Sequence, residues 1–254
     1  MDIEQIADAF WTSMARGIHY PPEWKGRLST RDAYRVQLAI LDRHLQRGER
    51  QAGWKVGLTN RAIQDQFGVH EPVMGFLLQS GHRPSDTVIR RAGLIKPGFE
   101  TELCVTMGAS LEGPGVSGED VRRAIATMAP AFEIIEGRGD FTADLSLSLA
   151  DNCQQKAFVT GEALALPPGW QLSGTTVEVL INGREVGRAT GREDVCDPLA
   201  AVAWLANKLA DFGRSLDAGM RVMSGSFIPQ FPFAPGDRLE ARFSPFGAVR
   251  ASVE

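Results

Sequence analysis

Glu100 and Glu102 stand two residues apart in the run Phe99 to Met107, and in a β-strand residues i and i+2 point to the same face. Two carboxylates placed that way repel unless water or a cation intervenes. The opposite parity, Leu103, Val105 and Met107, is apolar and reads as the core side, so the charged side carries Glu100, Glu102, Cys104 and Thr106. A hard divalent ion with oxygen ligands, Mg²⁺ or Mn²⁺, would remove the repulsion and supply a Lewis acid. The plain alternative is a solvated edge strand, because isolated acidic pairs are common on surfaces. A third carboxylate tips the reading toward a cation. Glu133 lies between Phe132 and Ile134 in the apolar run Pro130 to Ile135, where an unpaired charge is expensive to bury. Alternation puts Glu136 on the other face, as a strand-end residue beside Arg138.

Lys55 is the lone charge in Gly53-Trp54-Lys55-Val56-Gly57-Leu58-Thr59. It reads either as a lysine snorkelling from a half-exposed strand or as a desolvated lysine that faces an anion and moves a proton. Asp151-Asn152, after the apolar Leu145 to Ala150, reads as a turn or as two polar groups at a pocket wall. Lys208 reads as a solvated helix residue.

Other chemistries find little support. Gly113 to Gly118 matches G-x-G-x-x-G, but Glu112, Glu119 and Asp120 surround it where a pyrophosphate would need positive potential. There is no G-x-S-x-G, and His19, His44, His70 and His82 lack metal-ligand spacing. Cys104, Cys153 and Cys196 are odd in number and far apart, which indicates neither a disulfide framework nor a zinc site and fits a reducing compartment. A net charge of −4 and no basic run argue against nucleic acid and anionic membrane as partners. No stretch approaches the roughly 20 apolar residues of a membrane span, and the start, Met1-Asp2-Ile3-Glu4, is acidic where a signal peptide is basic. The expectation is a cytoplasmic protein.

The elements that must hold these residues follow from periodicity. Residues 2–16 place Ile3, Ile6, Ala7, Phe10, Trp11 and Met14 at helical spacing, stopped by Gly17. Ser29 or Thr30 caps a second helix reaching about Gly48. Together they make an N-terminal helical arm, residues 1–50. From 51 to 254 short β-like runs alternate with helical stretches near 60–67, 118–128 and 197–212, the pattern of an α+β body. Asn182-Gly183 between Val177–Ile181 and Arg184–Arg188 marks a type I′ hairpin, and Arg238 to Val253 alternates like further strands. With 43% hydrophobic residues in 254, one structural unit can bury a sizeable core.

Gly53 to Thr59, Pro97-Gly98-Phe99-Glu100-Thr101-Glu102, Pro130 to Ile135, Ala150-Asp151-Asn152 and Ala203-Trp204-Leu205-Ala206-Asn207 occur in an order that resembles the hydratase/decarboxylase family. That family holds the 2-keto-4-pentenoate hydratases and 4-oxalocrotonate decarboxylases of the fumarylacetoacetate hydrolase superfamily. The resemblance spans nearly the whole chain. It implies a fumarylacetoacetate hydrolase-like fold, with a mixed β-roll or barrel body, and a homo-oligomer. It implies a Mg²⁺- or Mn²⁺-dependent lyase of aromatic meta-cleavage catabolism whose small-molecule substrate is a 2-keto-enoic or 2-hydroxydienoic acid, converted through a metal-bound dienolate. By motif position Glu100, Glu102 and Glu133 are the metal ligands and Lys55 the active-site lysine, with Asp151, Asn152 and Gln154 at the pocket wall.

Two departures bear on the reaction. Val73 stands where hydratases of this type carry an Asp, and Gln154 where a Ser often follows the Asp-Asn pair. Val73 cannot transfer a proton, which favours a 4-oxalocrotonate decarboxylase over a 2-keto-4-pentenoate hydratase, as does Leu111 to Val116; Ser224-Gly225-Ser226-Phe227 resembles the hydratase branch. His70 and Glu71 are the candidates to replace the absent acid. Two further readings are an acylpyruvate C–C hydrolase, with His19 or His70 as base, and a non-catalytic binding protein.

Overall fold

Side-chain caps start the first two helices. Asp2 accepts from the Gln5 amide ahead of α1 (Ile3–Ala15), and Ser29 accepts from the Asp32 amide ahead of α2 (Thr30–Gln46). Gly17 and Gly48, just past the two ends, take positive φ of 76° and 87°, the left-handed conformation that glycine adopts without steric penalty. The computed structural model describes residues 2–66, 68–191 and 197–254; Phe67 and Cys196 lie outside the described residues. The two helices are no appendage: Ile6, Phe10, Tyr34 and Ile40 are buried in the same core cluster as Trp54, Phe99 and Phe132. Gln37, fully buried on α2, donates from Nε2 to the carbonyls of Met74 (3.1 Å) and Leu149 (2.6 Å).

Among the described residues the body is built on thirteen strands: β1 (Gln51–Gly57), β2 (Val73–Leu78), β3 (His82–Pro84), β4 (Thr87–Ile89), β5 (Pro97–Met107), β6 (Ile125–Glu136), β7 (Gln155–Thr160), β8 (Thr176–Ile181), β9 (Arg184–Thr190), β10 (Arg221–Met223), β11 (Phe231–Pro232), β12 (Arg238–Ser244) and β13 (Gly247–Val253). Helices α3 (Arg61–Gln66), α4 (Gly118–Ala124), α5 (Leu145–Ala150) and α6 (Pro198–Ala210) connect them. One sheet runs β2-β1-β10-β5-β6-β7-β3, with β11 also paired to β5, and the other runs β4-β13-β12-β8-β9. Together with the helices they form a mixed α+β body whose larger sheet curls into a half-barrel. Strand β10 lies parallel to β1, and Gly53 permits it, because a Cβ there would fall 1.8 Å from the Arg221 carbonyl oxygen.

The hairpin at Asn182-Gly183 forms with both residues at positive φ, 55° and 79°, as a type I′ turn requires. The helix expected over 118–128 is shorter. It ends at Ala124, and Ile125 to Met128 join β6 by pairing with Val105 to Met107 of β5, since the β-branched Ile125 and Thr127 suit a pleated surface better than a helix. The Gly-rich turn before α4 has its amides engaged within the chain. Asp120 accepts from the Ser117 amide, Ser117 from the Asp120 amide, and Asn207 from the Val116 amide. No helix of the described residues is long and apolar enough to cross a membrane.

Candidate active site

Strands β5 and β6 form the longest ladder of the fold, and their register sets Glu100 directly opposite Glu133 and Glu102 opposite Ala131. The parity argument holds. Leu103, Val105 and Met107 face the main core, while Cys104 turns the other way, into a second apolar cluster with Ala131 and Met223. Glu102 and Glu133 are fully buried and Glu100 is half-buried. One oxygen from each of the three lies within 4.8 Å of the others, a spread that a single ion with oxygen ligands at about 2.0–2.6 Å can span. The Gly225 amide donates to Glu102 Oε2 at 2.8 Å. Gly225 is at φ 107°, and a Cβ there would meet Thr59 Oγ1 at 2.6 Å, so only glycine brings that amide to the carboxylate.

Lys55, 5% exposed on β1, places Nζ 3.4 Å from Glu133 Oε2. Burial pushes Glu133 up to about 7 against the pull of Lys55, and burial with Glu133 and Glu100 nearby holds Glu102 well above the usual carboxylate range. Burial would depress the Lys55 ammonium, but the facing Glu133 and Glu100 carboxylates outweigh it and raise it. With all groups ionised, three negative charges meet one positive charge, leaving an excess of two. Among the described residues Glu102 Oε1 and Glu133 Oε1 have no hydrogen-bond partner, and Glu133 Oε2 has only the long ion pair with Lys55. Buried carboxylate oxygens without partners are unusual, and an all-carboxylate donor set with this excess fits a hard divalent cation.

Lys55 and Glu100 of this group border a cleft of about 510 Å³. Lys55, Glu100, Thr59, Gln154, Ser226 and Gln230 supply its polar wall; Leu58, Val73, Ile135, Phe141, Phe227 and Ile228 supply the apolar one. Lys55 is the single cation in that lining among the described residues.

The other residues singled out by sequence are distributed differently. His70 and Glu71 are exposed and do not line the cleft, because the segment before β2 turns outward; the Glu71 carboxylate is held by Lys208 at 2.8 Å. Lys208 is therefore no solvated residue: its side chain is 16% exposed and its ammonium also lies 5.8 Å from the Tyr34 ring centroid. Asp151 and Asn152 sit behind the wall rather than on it. Asp151, fully buried, accepts from Arg138 Nε (2.7 Å) and contacts His19 Nδ1 (3.2 Å). Asn152 accepts from the Phe76 amide (2.7 Å) and donates to the Phe76 carbonyl (3.0 Å). Glu136 lies outside the carboxylate cluster, paired with Arg138 at 3.2 Å. Sequence reasoning missed Tyr20, whose hydroxyl meets Gln154 at 3.2 Å, and the contribution of Phe141 and of the 226–230 segment to the wall. The motif Ser224-Gly225-Ser226-Phe227 hinted at the latter.

Residues 44–254 match the family described as fumarylacetoacetate (FAA) hydrolase C-terminal. A 2-hydroxyhexa-2,4-dienoate hydratase of Comamonas testosteroni is 36% identical over 216 residues, covering 84% of this chain and 82% of the hydratase. A 4-oxalocrotonate decarboxylase of Pseudomonas putida is 34% identical over 238 residues, covering 93% of this chain and 90% of the decarboxylase. The solved 4-oxalocrotonate decarboxylase from Pseudomonas putida G7, complexed with magnesium and adipate, superposes with a TM-score of 0.91 at 32% identity over 99% of this chain and 97% of that one. Similarity to hydratases and decarboxylases alike, over almost the full length and on the fold described above, establishes that the chain belongs to the fumarylacetoacetate hydrolase family.

Proposed function

We propose that the chain is a divalent-cation-dependent lyase acting on a 2-keto-enoic acid or its 2-hydroxydienoic enol, of the 2-keto-4-pentenoate hydratase type. One observation carries the reading: Glu100, Glu102, Glu133 and Lys55 converge beside a cleft whose lining is otherwise rich in apolar side chains. When bound, Mg²⁺ or Mn²⁺ supplies a Lewis acid for the carboxylate and keto oxygens of a 2-keto acid. Glu100, Glu102 and Glu133 are the residues that would hold it. Lys55 supplies the positive charge and the transferable proton that face the substrate, and its strand, locked between β2 and β10, fixes its position. Leu58, Ile135, Phe141 and Phe227 give the cleft an apolar lining that suits a vinyl or alkyl tail, since a distal carboxylate would find no cationic partner besides Lys55 among the described lining residues.

A second reading, decarboxylation of a 4-oxalocrotonate-like diacid, is favoured by Val73, which lines the cleft where a proton-transferring side chain would otherwise stand. Hydrolysis of an acylpyruvate is less well supported, because neither His19 nor His70 lines the cleft. The test is ultraviolet absorbance of 2-hydroxypenta-2,4-dienoate, 4-oxalocrotonate and an acylpyruvate with purified protein, with and without Mg²⁺, together with CO₂ detection. Metal-dependent loss of the dienoate without CO₂ supports the hydratase reading, and CO₂ from the diacid supports the second. Turnover of none of them leaves the non-catalytic binding protein.

A further inference from the structure

The wall of the cleft beside Lys55 is built on an unusual stretch of backbone. Asn152, Cys153 and Gln154 take φ of 63°, 50° and 62° in succession, and none is a glycine. A left-handed non-glycine residue is strained and persists only where surrounding contacts over-determine it. Here all three side chains are tied. Asn152 grips both backbone groups of Phe76, Cys153 Sγ donates to the Met74 carbonyl at 3.2 Å, and Gln154 Nε2 donates to Tyr20 Oη and to the Gly139 carbonyl, both at 3.2 Å.

Those last two bonds fix which way the Gln154 amide faces. A backbone carbonyl only accepts, so the atom beside Gly139 must be the nitrogen, and both of its N–H bonds are then committed. The remaining polar capacity of the side chain is its oxygen, on a residue that lines the cleft. Tyr20 is equally constrained. Its ring lies so close over Gly139 that a Cβ there would come within 2.3 Å of it. The preceding residue, His19, is anchored to the buried Asp151, which Arg138 grips from the other side.

We infer that Gln154 is a catalytic residue of this site, its carboxamide oxygen accepting a hydrogen bond from the water that adds to the substrate, and that Tyr20 of the segment between α1 and α2 is the residue that positions it. The inference rests on the hydratase reading above. In the addition one O–H bond of water and the C3–C4 π bond of the 2-keto-3-enoic acid break, and C4–O and C3–H bonds form, with no net oxidation. An uncharged acceptor directs the oxygen lone pair of that water toward C4 without repelling the substrate carboxylate.

Water addition can be read apart from proton transfer. The full chain with Mg²⁺ and 2-hydroxypenta-2,4-dienoate in D₂O reports two rates by NMR: deuterium entry into the keto acid, which needs only proton transfer, and formation of the 4-hydroxy-2-keto acid, which needs water. Tyr20→Phe keeps the ring over Gly139, and Gln154→Met keeps the side-chain length. Each should lower hydration relative to deuterium exchange by about tenfold, the worth of one lost hydrogen bond. Proportional loss of both rates in the two variants, or loss of neither, overturns the inference. Absence of both rates in the unmodified protein overturns the hydratase reading itself.

Discussion

Glu100 and Glu133 face each other directly across two antiparallel strands, an arrangement in which like charges destabilise a sheet. With Glu102 added on the same face, the pairing can be held at neutral pH only by protonation, by Lys55 or by a cation. The protonation route has a measurable signature. Glu133, pushed up to about 7 from an ordinary 4.5, and Glu102, also raised, are easier to protonate folded than unfolded. Their contribution to stability is therefore fully present below the ordinary value and is lost as pH rises through the folded one. A cation replaces those protons. The rise in Tm produced by Mg²⁺ over chelator should then be small at about pH 5.5 and large at about pH 8. A rise of equal size at both values would show that the carboxylates are ionised whether or not the ion is bound.

Glu102→Gln separates stability from function. The amide keeps an oxygen for the Gly225 N–H and removes a buried ionisable group whose ionised form the site disfavours. Activity should fall to the level of chelator-treated protein, while the variant in chelator should melt above the unmodified protein in chelator; in a chain of this size each kcal/mol moves Tm by about 2–4 °C. Calorimetry with and without chelator checks both halves.

Lys55→Met conserves most of the side-chain volume. On a substrate verified with the unmodified protein, kcat should drop on the order of 10²-fold or more with Mg²⁺-dependent stabilisation retained. Because Lys208 is ion-paired to Glu71, the fitting control is Lys25, which is exposed; Lys25→Met should leave kcat within about twofold. Near-normal kcat for Lys55→Met would make this lysine a structural counter-charge only.

Asn152→Leu removes the side chain that satisfies the Phe76 amide and carbonyl. Each group left without a partner costs about 1–3 kcal/mol, and the left-handed turn at 152–154 loses one of its ties. Urea denaturation should show a loss of at least about 2 kcal/mol. Loss of less than half that would mean that water takes over the two bonds.

What was legible in the sequence is what local rules determine. Asp2, Ser29, Gly17, Gly48 and Asn182-Gly183 carry their conformations in their own chemistry, and the alternation of β5 separated the carboxylates from the core residues before any fold was known. Glu133 was recognisable because a charge between Phe132 and Ile134 demands a partner. The rest depended on contacts across long stretches of chain. Asp151 and Asn152 are ordinary turn formers by type, and nothing local shows that one is held by Arg138 and His19 and the other by Phe76. The same holds for Tyr20 and Gln154, 134 residues apart. His70 and Glu71 resembled active-site residues by proximity to Val73 in sequence, but the chain turns them outward just before β2 begins.

Asn152 also acts where β2 ends the larger sheet. By taking one amide and one carbonyl of Phe76, its carboxamide stands in for a neighbouring strand along that edge, as Tyr34, Gln37 and Cys153 do at Met74. An edge so occupied cannot serve as a template for another chain. That border of the sheet is therefore closed to strand addition by side chains of the same molecule, and loss of Asn152 would leave the Phe76 amide and carbonyl without their partners.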